Sequence, residues 1–168
     1  MAEWASPTTS SRSAREAVTG RQSYFLEVLG PANAVALSVV SFTAVERLGE
    51  PYRITLALTH PEALRLSDYL GREAYFTIEL ADGSVARKFC GYITQFSQTQ
   101  TTRDFTAYRF VVEPQIARLR LTRATRIYQN RTAPQIIEQI LRRHDMRGHQ
   151  FTFKLRRQYP QHRFRMQY

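Results

Sequence analysis

Cysteine is nearly missing from this chain: Cys90 is the only one among 168 residues, so no intrachain disulfide can staple the fold. Cys90 lies beside Gly91 in a strand-like segment without a histidine nearby, a setting for a small packed side chain rather than a nucleophile. Long hydrophobic runs are also lacking. No apolar stretch approaches the ~20 residues of a membrane-crossing helix, and Met1 to Gly20 holds no hydrophobic segment of the kind a secretory signal needs. If the protein leaves its cell, another route carries it. Glycine-rich phosphate loops, paired Cys/His zinc spacings and a nucleophile elbow are all missing. The four histidines, His60, His144, His149 and His162, are scattered over a strand end, a helix end and loops. Asp68 and Asp82 sit in turn contexts that account for them without catalysis. The expectation is a protein with no catalytic residues, no metal and no cofactor.

Acidic residues are scarce in one region only. Up to Ala117 the chain carries 11 Lys and Arg against 12 Asp and Glu, a net of −1; from Arg118 onward it carries 13 against 2, a net of +11. The basic character of the whole, +10, therefore belongs to the last third. Such a segment suits nucleic acid, an acidic protein face or an acidic domain elsewhere in a longer chain. Lys154, Arg156, Arg157, Arg163 and Arg165 are the candidate basic surface, interleaved with Phe151, Phe153, Tyr159, Phe164 and Tyr168. Strand alternation alone places aromatics on a core face and cations toward solvent or another protein. That reading takes precedence over base stacking and phosphate neutralisation.

What is present is strand pattern. Residues 1–22, rich in Ser, Thr, Ala and Arg, are expected to form a disordered leader. Tyr24 to Leu29, Leu37 to Glu46 and Tyr52 to Thr59 then read as three strands, the last with Tyr52, Ile54, Leu56 and Leu58 on one face. Ala63 to Leu70 leaves room for a turn or two of helix before Gly71. Three further strands follow as a meander. Ala74, Phe76, Ile78 and Leu80 share a face of the first; the Asp82-Gly83 pair turns the chain into Val85 to Phe96; a polar linker at Ser97 to Thr102 precedes Phe105 to Glu113. Six antiparallel strands with one apolar face are best satisfied by a closed or nearly closed barrel, with a two-sheet sandwich as the rival. The domain expected is 23–117.

Residues 118–168 read as a helix plus strands, the start of a second β-rich domain. Thr132 to Gln135 matches a capping box with Pro134 in the first turn, and Ile136, Ile137, Ile140 and Leu141 form the packing stripe of a helix running to about Arg147. Phe151, Phe153 and Leu155 alternate like a strand. A second alternation opens at Arg163 and is still open at Tyr168, so a piece of a longer polypeptide is expected.

With these residues in place, the chain resembles the N-terminal part of the VgrG family, the spike proteins of bacterial type VI secretion, themselves similar to the baseplate hub of contractile phage tails and phage late control protein D. The resemblance runs from about Ser23 to Tyr168. It rests on Leu37 to Phe42, the Tyr52 to Leu58 strand, Leu70-Gly71, and Phe89-Cys90-Gly91-Tyr92-Ile93-Thr94, which is similar to a Phe-x-Gly-x-Val-Thr pattern. Tyr108 to Pro114, Thr125-Arg126-Ile127-Tyr128-Gln129 and Met166-Gln167-Tyr168 continue it. The resemblance implies a non-enzymatic hub: a mainly β, phage-tail-hub barrel with a packed helix, built into a homotrimer whose barrels match a hexameric tube protein. It further implies baseplate components and effectors or a tip protein as partners, assembly in the bacterial cytoplasm and ejection by the apparatus. A nucleic-acid-binding barrel is the alternative.

Overall fold

The computed structural model describes residues 23–80, 82–148 and 150–167. The expected leader and His149 lie outside these. The chain divides after Pro114 into two compact units.

In the first unit, strands β1 (Tyr24–Val28), β2 (Ser38–Val45), β3 (Arg53–His60), β4 (Glu73–Glu79), β5 (Val85–Thr101) and β6 (Thr106–Glu113) form one antiparallel sheet in the order β1-β4-β5-β6-β3-β2. The sheet curls until its first and last strands approach each other. The Tyr24 hydroxyl donates to the Val40 carbonyl at 3.3 Å, and the Tyr24 and Phe42 rings meet edge-on at 5.4 Å. The result is a half-barrel with a filled interior, the barrel architecture expected from the strand pattern.

Alternation decides what fills it. Ile54, Leu56 and Leu58 of β3 face Val112, Phe110 and Tyr108 of β6 across the ladder, and all six are fully buried. Ala74 and Phe76 join them from β4, whereas Leu80, expected on the same face, lies beyond the strand and is exposed. A chain of rings, Phe42 to Phe76 at 4.8 Å, Phe76 to Phe89 at 6.3 Å and Phe89 to Tyr52 at 5.4 Å, carries the core across the sheet. The fully buried Phe76 contributes roughly 1.5–3 kcal/mol by leaving water.

The stretch Ser97 to Thr102 differs from the linker expected of it. Its polar residues continue β5, with Gln98 opposite Tyr108 and Thr101 opposite Thr106. The turn comes later, where the Thr102 amide donates to the Phe105 carbonyl at 2.9 Å. Polarity misled here because this ribbon is exposed and has no core face to mark it. A register shift between Ile93 and Gln95 keeps β5 useful on both sides of it: Ile93 and Phe96, three apart, are paired with the buried Val112 and Phe110.

A knot of hydrogen bonds ties His60, at the end of β3, to neighbouring turns. Nδ1 of the buried His60 lies 2.9 Å from both the amide and the carbonyl of Glu62, and its Nε2 lies 3.0 Å from the Asn33 carbonyl. Asn33 belongs to a 3₁₀ turn, Ala32–Ala36, that sequence periodicity did not reveal. Its Oδ1 accepts from the Tyr69 hydroxyl at 2.8 Å, and the Tyr108 hydroxyl accepts the Leu64 amide at 2.7 Å. Tyr69 ends the short helix α1 (Leu66–Tyr69).

The second unit holds a 3₁₀ segment (Gln115–Leu121), β7 (Arg126–Arg131), the helix α2 (Ala133–Arg143) and β8 (His162–Gln167), which pairs antiparallel with β7. The capping box forms in full: the Gln135 amide donates to Thr132 Oγ1 at 3.4 Å, and Gln135 Oε1 accepts from the Thr132 amide at 2.9 Å. The helix stops at Arg143, short of Arg147, because Asp145 turns into the left-handed region at φ 60°. Phe151 to Leu155 is no strand; it forms a loop in which the Phe151 and Phe153 rings pack on each other at 5.7 Å.

Candidate assembly site

Three places in the fold bear on what the chain does: the Phe89 to Thr94 stretch of β5, the stripe on α2 and the basic surface of the second unit.

At the first, Phe89, Gly91 and Ile93 point inward and are buried. Gly91 is forced by a neighbour. A Cβ placed there would lie 2.5 Å from the Glu113 carbonyl oxygen and 2.8 Å from its carbon, contacts that backbone atoms cannot relieve without the strands separating. The glycine thus lets β5 and β6 approach closely at this point. Glu113 is itself buried, accepting from Thr94 Oγ1 at 2.6 Å and facing Arg53 Nη1 at 3.4 Å. Tyr52, packed against the core, donates to the Cys90 carbonyl, and on the outer face Tyr75 donates to Glu73 Oε1 at 2.6 Å. Burial raises the Tyr52 hydroxyl to about 12, and the Glu73 carboxylate hydrogen-bonded to it pushes Tyr75 well above the ordinary phenol range. Cys90, expected to be a small packed side chain, is exposed on this outer face because alternation turns it away from the core; the partial burial of its thiol first and Glu73 second push its pKa up. These are groups held in their neutral forms, not activated ones. Among the described residues no group of three or more His, Cys, Asp and Glu is placed to hold a metal ion, and no helix is long and apolar enough to cross a membrane.

At the second, Leu141 is buried at 6% exposure, Ile136 and Ile140 are half-buried, and Ile137 is 48% exposed. The stripe is therefore divided: α2 packs its Leu141 side inward, alongside β7, and offers Ile137 to the outside. Arg142 is taken by Glu138, one turn earlier, at 2.7 Å.

At the third, Lys154, Arg156, Arg157, Arg163 and Arg165 are all exposed, and they do not form one cluster of a single origin. Lys154, Arg156 and Arg157 lie on the loop, where Arg157 covers the Tyr159 ring at 5.4 Å; Arg163 and Arg165 stand on β8. The sequence reading missed the other face of that ribbon. Phe164 and Met166, expected inward by alternation, are exposed together with Ile127. Alternation separates two faces but does not say which one is covered.

A curled antiparallel half-barrel of six strands, followed by a helix and a two-stranded ribbon, defines a phage-tail-hub type of domain. The profile described as phage tail baseplate hub (GPD) matches residues 45–168, and the chain belongs to this family. The resemblance to VgrG proteins read from the sequence holds with it. VgrG1b of Pseudomonas aeruginosa, a type VI secretion system spike protein, is 32% identical over 150 residues, 88% of this chain and 20% of its own length. VgrG3 of Vibrio cholerae, also a spike protein, is 29% identical over 151 residues, 90% of this chain and 14% of its own. Among solved structures, the E. coli c3393 protein superimposes with a TM-score of 0.78 at 34% identity, covering 86% of this chain and 39% of that one. That protein is described as a component of the type VI secretion system with structural similarity to the bacteriophage tail proteins gp27 and gp5. The chain thus spans a fifth or less of the length of these two curated relatives.

Proposed function

We propose that this chain is a non-enzymatic part of a type VI secretion spike, its half-barrel forming part of the hub that adapts a hexameric tube to a trimeric spike. The observation that carries the reading is the hub-type half-barrel itself, whose interior is filled by side chains, Tyr69, Phe76, Tyr108 and Phe110 among them. A filled barrel transmits load and presents surfaces. The likeness to the E. coli c3393 protein and to VgrG1b supports the secretion setting.

In this reading residues 23–117 are the first hub domain and 118–168 begin a second. The partners are further copies of the same polypeptide as a homotrimer, the hexameric tube protein, baseplate components, and effectors or a tip protein. Assembly takes place in the bacterial cytoplasm and the apparatus then ejects the spike. The basic third, net +11, favours nucleic acid as a second reading. Replacing the matched segment of VgrG1b by this chain and determining the mass of the hybrid and its release by the apparatus tests the hub reading.

A further inference from the structure

We propose that the outward face of the β7–β8 ribbon docks an acidic polypeptide segment that carries apolar side chains. Ile127 and Phe164 are each 63% exposed and Met166 is 50% exposed, although all three belong to paired strands. Met166 stands opposite Ile127, and Phe164 opposite Gln129, so the three apolar side chains sit together on one side of the ladder. The reverse side is occupied: Tyr128 is buried there and donates to Gln167 Oε1 at 2.9 Å. Together with Gln129, Asn130 and Arg163, the apolar trio lines a shallow groove. Three large apolar side chains left exposed side by side on paired strands are the pattern of a face meant to be covered.

Charge selects the occupant. The residues from Arg118 onward carry 13 cations and only two acids, and one of those acids, Glu138, is already held by Arg142. A second copy of this face would bring the same net +11 against it, which opposes self-association through the groove. A segment with carboxylates flanking its apolar residues gains on both counts, since the anchors leave water over Ile127 and Phe164 while the acids meet Arg163 and its neighbours. Side chains two apart on an extended segment repeat at about 7 Å, the spacing of Phe164 and Met166 on β8. This inference does not depend on trimer formation.

The test titrates the full chain against a short fluorescein-labelled peptide alternating glutamate with leucine, followed by anisotropy, with polyglutamate of equal length and labelled oligothymidylate in parallel. Saturable binding of the Glu/Leu peptide is expected, weakened by added salt, and reduced about tenfold or more in both Phe164→Ser and Ile127→Ser. Both side chains are exposed, so the variants keep the wild-type circular dichroism; Arg163→Glu should weaken binding without touching the apolar face. The proposal is overturned if no peptide binds, if polyglutamate or oligothymidylate binds as tightly and ignores both serine variants, or if sedimentation shows that the groove holds a second copy whose dissociation the serine variants increase.

Discussion

At position 91 a single methyl group decides whether two strands can stay together. Its Cβ would stand 2.5 Å from the Glu113 carbonyl, closer than any relaxed contact, so Gly91→Ala should lower stability by at least about 1–3 kcal/mol, measured as a fall in the urea midpoint. An unchanged midpoint would mean β5 and β6 are further apart. Next to it, Cys90 tests the local electrostatics. Burial and the Glu73 carboxylate disfavour its thiolate, whose folded-state pKa lies above that of a free thiol. At mildly alkaline pH the folded chain should therefore react with iodoacetamide more slowly than the urea-unfolded chain, and the difference should shrink as pH rises through the folded value. Glu73→Gln removes one of the two causes and should speed the reaction. The extended stretch from Val85 to Phe96 was legible in the sequence, and Gly91 stood out from its position in the Phe89 to Thr94 pattern of the resemblance. The reason for the glycine was not, because Glu113 is distant in sequence. The His60 knot was equally hidden: its partners, Asn33, Glu62 and Tyr69, come from turns whose positions no periodicity announces.

Among the elements, those with two unlike faces were the readable ones. β3 alternates cleanly and its inward residues Ile54, Leu56 and Leu58 were identified one by one, while the far half of β5 is exposed and polar and so passed for a linker. The helix α2 announced its start through the Thr132 capping box but not its end, which depends on the left-handed Asp145. Its stripe was also too generous. Leu141 is enclosed and Ile137 is half in water, so Leu141→Ala should cost about 2–5 kcal/mol and Ile137→Ala well under half of that, compared by denaturant unfolding. Equal losses would show that Ile137 is covered by something the isolated chain retains. The ribbon β7–β8 gives the same lesson from the other side, since its alternation was clear and the exposure of Phe164 was not.

For the whole molecule, the architecture and the division of charge are the main constraints. A near-neutral half-barrel with a filled interior is joined to a segment of net +11. A ring of identical subunits needs complementary surfaces on both sides of each one. With a fifth or less of the length of VgrG1b or VgrG3, the 168-residue chain alone should run as a monomer or associate weakly and in a salt-sensitive way. The hub account is tested most directly by light scattering on VgrG1b in which this chain replaces the matched segment. The account predicts three subunits per particle, independent of concentration, and release of the hybrid by the secretion apparatus. A folded hybrid that runs as a monomer, or a trimer that the apparatus never releases, would contradict it.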